Sequence, residues 1–326
     1  MFHLEHHLYP AVANPMPHEG ESEGLIGLLV DDGRPLLGAM GFGLVLAGGF
    51  ALFIAGRGEL LPHDVAYLGM TPQALCSVNE CRIVHFMMHD RVSFGGALMA
   101  IGVMYLWLVA GPLARGQRWA WDLLAASGAV GFLSFLAYLG YGYLDTWHGV
   151  ATAALAPAFI VGLRLTYRRI AWVEGASWWK RPDDLGRRVL LLATAFGMFA
   201  GGATILVVGM TSVFVPEDVV FLGIGRAHLD ELNPRLVPLI AHDRAGFGGA
   251  VCCCGVILGG AAWRAKWDRA ARQALAIAGI AGFGTALGVH PAIGYVDGLH
   301  MAPAVLGAVA FACGWWRIHP SATARL

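Results

Sequence analysis

Charge is what this chain has least of. Of its 326 residues only 13% are Asp, Glu, Lys or Arg, 57% are hydrophobic, and the formal net charge is zero. A water-facing surface cannot be assembled from that mixture, which excludes a soluble globular protein. The zero net charge, with the basic residues falling mostly between apolar runs, gives no case for a nucleic-acid partner. Also missing are a glycine-rich phosphate loop, a Gly-x-Ser-x-Gly elbow and a His-Glu-x-x-His pair. Nucleotide hydrolysis and serine-hydrolase chemistry are therefore set aside. Residues 1–34 are polar and acidic and lack the apolar core of a cleavable signal peptide.

What is present is a series of apolar runs, at 36–56, 92–113, 123–144, 149–166, 189–214, 245–263, 273–293 and 301–316, free of charge but for Arg164 near the end of the fourth. Each approaches the roughly 20 residues that cross a hydrocarbon layer of about 30 Å. The expected fold is an all-α integral membrane protein of eight transmembrane helices, in two groups of four.

The two groups resemble each other in detail. His89-Asp90-Arg91 with Phe94-Gly95-Gly96 returns as His242-Asp243-Arg244 with Phe247-Gly248-Gly249. Pro62-x-Asp64-Val65 with Leu68-Gly69 returns as Pro216-x-Asp218-Val219 with Leu222-Gly223, and Arg82 as Arg235. Gly142-Tyr143-x-Asp145 and His148 return as Gly294-Tyr295-x-Asp297 and His300, all at an offset of 152 to 154 residues. Residues 35–170 and 188–317 thus read as tandem four-helix repeats, with 171–187 a basic, Trp-rich linker along the headgroups. Segments 1–34 and 318–326 flank them. An even number of spans per repeat inserts both copies the same way, related by a pseudo-twofold along the membrane normal.

Sixteen of the twenty-two Lys and Arg fall on one side of these spans, with both termini, which the positive-inside bias makes cytoplasmic in a cell membrane. The loops at about 57–91, 145–148, 215–244 and 294–300 then face outward together. Trp119, Trp121, Trp172, Trp178, Trp179, Trp263 and Trp267 fit an aromatic belt at the inner interface. Cys76 and Cys81, in an outward loop, suit a disulfide or thiol metal ligation. Cys252, Cys253, Cys254 and Cys313 lie in apolar runs as small packing residues.

The repeated polar set is the candidate site. His89, His242, His148, His300, Asp145 and Asp297 form a donor set suited to a transition metal, iron or zinc, with Asp64, Asp90, Asp218 and Asp243 as candidate catalytic carboxylates. Asp-x-x-His places two side chains on one helix face. A plainer account covers part of this. Asp90, Asp145, Asp243 and Asp297 stand where helix N-caps are expected, and Arg91 and Arg244 suit snorkelling anchors. Capping does not explain two recurring histidines per copy.

The segment Met1-Phe2-His3-Leu4-Glu5-His6-His7-Leu8-Tyr9-Pro10 resembles the third histidine box of membrane fatty acid desaturases. That resemblance implies di-iron ligation by His3, His6 and His7. The two earlier boxes of that family are absent, and the likeness covers only the first ten to fifteen residues. It implies a desaturase-like remnant on the cytoplasmic side, a bilayer away from the repeated histidines.

Four classes follow for the rest. One is a metal-dependent membrane enzyme, an oxidoreductase or hydrolase, acting on a lipid or small molecule. The second is a haem-binding electron carrier, with His89 and His148, and His242 and His300, as axial pairs. The third is a transporter of an uncharged solute, since Asp, Glu, Lys and Arg are missing from mid-membrane. The last is a structural or assembly subunit in contact with membrane lipid.

Overall fold

The computed structural model describes residues 32–140, 143, 146–169, 172, 178 and 181–318. Among them there is no strand. The first half of the chain contributes α1 (Arg34–Gly56), two seven-residue helices α2 (Pro62–Leu68) and α3 (Pro72–Val78), α4 (Arg82–Leu108), α5 (Arg118–Ser134) and α6 (Thr146–Arg169). The second half follows in the same order. Its elements are α7 (Leu185–Met210), α8 (Pro216–Leu222), α9 (Arg226–Leu232), α10 (Leu236–Arg264), α11 (Arg269–Ile293) and α12 (Gly298–Arg317). Among the described residues eight helices are long and apolar enough to cross a membrane. Their outer faces are apolar, as Phe42, Leu46, Phe50, Phe53 and Phe196 show by being exposed. The desaturase-like box at His3, His6 and His7 lies outside the described residues, as do Asp145, part of the linker and most of the tail.

Two of the eight are central. The most apolar stretches of α4 and α10 are 67% and 72% buried, against 11–28% for the other six, so α4 and α10 form a core pair and the rest ring it. Each central helix packs on the first long helix of its own half, α4 on α1 and α10 on α7. Each also packs on a helix of the opposite half, α4 on α11 and α10 on α5. The two halves are therefore interlocked rather than side by side.

The paired glycines of the repeated motif explain this packing. A Cβ on Gly95 would stand 2.9 Å from the Gly48 carbonyl oxygen of α1, and one on Gly248 would stand 2.7 Å from the Gly202 carbonyl of α7. The second glycine of each pair faces the other half. A Cβ on Gly96 would drive into Thr285 of α11, and one on Gly249 into Ser134 next to α5. With no hydrophobic drive between helices in lipid, such close backbone approach supplies the van der Waals attraction that holds them.

The short helices cover one end of the bundle, here the capped end. Pro62 and Pro216 open α2 and α8, where a missing N–H costs nothing, and Gly69 and Gly223 close them at φ 66° and 68°. Their apolar undersides, Leu68, Leu75, Leu222 and Leu229, join Phe86, Met87, Leu239 and Ile240 in a core of their own. Asn79 donates to the Leu222 carbonyl at the end of α8, and Asn233 to that of Leu68 at the end of α2. Each half thus caps a helix of the other. Cys76 and Cys81 are disulfide-bonded.

Several expectations need correction. The second and sixth spans begin about ten residues earlier than the charge-free runs suggest, at Arg82 and Leu236, so Asp90 and Asp243 lie inside helices and are not caps. Arg91 and Arg244 do not snorkel outward, because Arg244 is 5% exposed and both are paired inside. Trp119 is buried, and Trp121 and Trp263 hand their indole N–H groups to the Leu163 and Trp178 carbonyls, so these three pack in the fold. Cys313 is exposed on α12, unlike buried Cys252, Cys253 and Cys254.

Replacing Gly248 with Leu is expected to destabilise the protein by more than the about 1–3 kcal/mol typical of overpacking, since the obstacle is backbone. Thermal unfolding in detergent checks this, with Gly197→Leu, whose Cβ would meet nothing within 4 Å, as the silent control.

Candidate metal centre

Beneath the cap, the charged residues of the two motifs cross between halves. Arg91 donates through Nη1 to Asp64 Oδ2 at 2.7 Å and through Nε to Asp243 Oδ2 at 2.8 Å. Arg244 donates through Nη1 to Asp218 Oδ2 at 2.6 Å and through Nε to Asp90 Oδ2 at 3.2 Å. Each guanidinium thus binds one carboxylate of its own half and one of the other.

The four carboxylates have further partners. Asp64 and Asp218 sit at the third position of α2 and α8, where they also accept from the backbone N–H of Leu61 and Val215. Tyr143 and Tyr295 donate their hydroxyls to Asp64 and Asp218 at 2.9 and 2.8 Å. Burial, with the Asp218 carboxylate beside it, pushes the Tyr295 phenol above its ordinary range, so it keeps the proton it donates. Asp90 and Asp243 each accept from the adjacent histidine, His89 Nδ1 at 2.8 Å and His242 Nδ1 at 3.3 Å.

From this shared frame the histidines part company. His242 lies edge-on against Tyr143, with ring centroids 5.0 Å apart. His89 instead meets His290 and His300, and one ring nitrogen from each of the three lies within 4.8 Å of the others. His89 and His290 are each 4% exposed. Asp297 caps α12 by accepting the His300 backbone N–H at 2.7 Å, so the Asp-x-x-His spacing here is cap geometry that aims His300 at the cluster. His148 stands in α6, and its side chain lies outside the described residues.

The protons decide what this triad can do. His89 Nδ1 faces a carboxylate and His290 Nδ1 faces the Ala286 carbonyl at 2.8 Å, both of which only accept, so both Nδ1 atoms carry hydrogen. Each Nε2 then bears a lone pair, and the two stand 3.1 Å apart. Two lone pairs at that range repel unless a cation or an added proton lies between them. Around a tetrahedral ion with metal–nitrogen bonds of about 2.0 Å, neighbouring nitrogens are roughly 3.3 Å apart. The Asp90 and Ala286 contacts match the outer-shell partners that fix metal-bound imidazoles. His300 Nδ1 lies 3.3 Å from the Tyr295 oxygen, whose own proton goes to Asp218, leaving that oxygen to accept and His300 Nε2 with a lone pair.

His290 is the member that sequence reasoning missed. The offset pairs it with Tyr138, so it does not recur, and its only signal was a histidine near the end of an apolar run, just before Pro291. Asn79 and Asn233 were also missed although they do recur, 154 residues apart. An apolar cavity of about 860 Å³ opens below the triad, lined by α4, α7, α10, α11 and α12. No protein-family model matches the chain, and no curated protein and no solved structure matches it either.

Removing one arginine would leave two buried carboxylates uncompensated. Arg91→Met is expected to cost about 3–5 kcal/mol, seen as a lower unfolding midpoint in detergent. Arg226→Met, on an exposed pair with Asp230, should cost under about 1 kcal/mol.

Proposed function

We propose that this chain is a membrane-embedded metalloenzyme whose His89, His290 and His300 hold one transition-metal ion. The observation that supports this most is that the Nε2 atoms of His89 and His290 face each other at 3.1 Å while their Nδ1 atoms face acceptors only. Three imidazoles with room for a further ligand are the usual protein contribution to catalytic zinc. An oxygen-activating iron more often takes two histidines and a carboxylate. Here the nearest carboxylate, Asp90, is engaged by His89 and Arg244. Zinc is therefore favoured over iron, and a hydrolytic reaction over an oxidative one. A bound zinc lowers the pKa of its water to about 7. Three nitrogens clustered round one point do not suit a haem, which needs two axial ligands on opposite faces.

In this reading Asp64, Asp218 and Asp243 are frame residues, and Asp90 orients His89. His242 belongs to the frame of the first half, and Asp297 acts through its cap. Glu217, on the cavity wall, is the carboxylate there with no ion-pair partner among the described residues, which suits proton transfer. The matched elements and crossed contacts support two tandem, parallel four-helix repeats. The distribution of Lys and Arg supports placing the capped end, and with it the metal centre, outside.

Elemental analysis and a visible spectrum of the purified protein test the proposal. About one zinc per chain without a haem Soret band is expected, lost in His290→Ala. Asp90→Asn should weaken metal binding by about 10–100-fold, the usual effect of an outer-shell change. Metal-free protein whose folding is indifferent to His290→Ala would sink the enzyme reading in favour of a structural subunit.

A further inference from the structure

The cavity under the triad carries charged and imidazole side chains at one end only. His89, Asp90, Glu217, Arg244, His290 and His300 line its top, and from there it runs down past Ala97, Ile101, Phe283, Leu275 and Leu258 between apolar walls. On α10 alone the lining extends from Arg244 to Leu258. Fourteen helical steps of 1.5 Å make that about 21 Å, some two-thirds of the hydrocarbon thickness. Its 860 Å³ falls within the about 300–1,000 Å³ of single-ligand pockets.

The cavity also has a side door. α7 and α12 touch near the opposite end of the bundle, where a Cβ on Gly314 would stand 2.9 Å from the Leu191 side chain. Nearer the capped end, the cavity-lining Gly197 and Thr204 of α7 and Pro303 and Leu306 of α12 are exposed. These helices face lipid, so the opening between them leads to the bilayer rather than to water.

The charge at the top selects the head. Arg244 is the one Lys or Arg among the lining residues, and it is already held between Asp90 and Asp218. Asp90 and Glu217 add negative charge on the same wall. Arg244 stands against Asp90, Asp218 and Glu217, so a divalent ion held by the triad would balance the excess carboxylate charge rather than leave free positive charge for a phosphate or sulfate.

We propose that the cavity binds one membrane amphiphile with a single long apolar chain and an uncharged polar head, such as a hydroxyl, amide or ester, that enters sideways between α7 and α12. Its chain lies along α10 and its head meets His89, His290 and His300. This deepens the metalloenzyme reading by naming its substrate class and rests on it only for the chemistry at the head.

The test uses the full chain in nanodiscs of neutral lipid, with diazirine-bearing hexadecanol as probe and unlabelled hexadecanol and hexadecyl phosphate as competitors. Crosslinks are expected on α7, α10, α11 and α12, displaced by hexadecanol and not by hexadecyl phosphate. Gly197 and Gly201 line the cavity, and a Cβ on either meets nothing within 4 Å, so Gly197→Phe with Gly201→Phe is the variant chosen to narrow it. That double variant should bind the probe about tenfold more weakly or worse while keeping its metal content and unfolding midpoint. Unchanged crosslinking in the double variant, or equal competition by the phosphate, overturns the proposal. Metal-free protein that still binds hexadecanol in a Gly197-dependent way overturns the metal reading alone.

Discussion

Arg91 and Arg244 lie where the two halves of this bundle cross, and each is tolerable there because two carboxylates meet it. An unpaired guanidinium in a low-dielectric interior carries a desolvation cost of several kcal/mol, which binding to two carboxylates and a network of hydrogen bonds offsets. The arrangement forces geometry on everything around it. Arg91 must reach α2 and α10 together, and Arg244 must reach α8 and α4. The central helices, the short capping helices and the two halves of the chain are thereby fixed against one another. The glycine contacts lower down set the distance between helices, whereas the crossed ion pairs set their register.

The same frame builds the candidate metal centre. Asp90 accepts from Arg244 with one oxygen and from His89 with the other, so the pair that locks the halves also fixes which nitrogen of His89 carries the proton. Asp218 plays the matching part through Tyr295, whose oxygen is left to receive His300. Stability and ligand orientation depend on the same side chains, so a variant that breaks the frame loses both. His290 stands apart from this coupling because its outer partner is the Ala286 carbonyl of its own helix. It is the cleaner place to separate metal binding from folding.

Much was legible before any coordinates. Low charge and eight apolar runs announce a membrane bundle because hydrocarbon tolerates little else. The recurring Pro-x-Asp and His-Asp-Arg phrases pointed to the capped end, where the histidine cluster lies. Their meaning was misread where local rules compete with tertiary pairing. Asp90 and Asp243 resemble caps because the charge-free run begins just after them, yet the helix continues backward once Arg244 and Arg91 neutralise them. His290 was invisible to a search based on recurrence because only one half carries it.

The sequence by itself determined the class of protein, the number of long helices and the identity of the residues that repeat, because each of these follows from local hydropathy and self-similarity. Only the tertiary structure decided that the halves interlock, that each arginine bonds across the divide, and that His89 joins His290 and His300 instead of its own half's His148 expected from the repeat. The reason is physical. Hydropathy is a property of a segment, whereas the partner of a buried charge or a lone pair is chosen by which helices pack side by side, and residues about 200 positions apart are then neighbours.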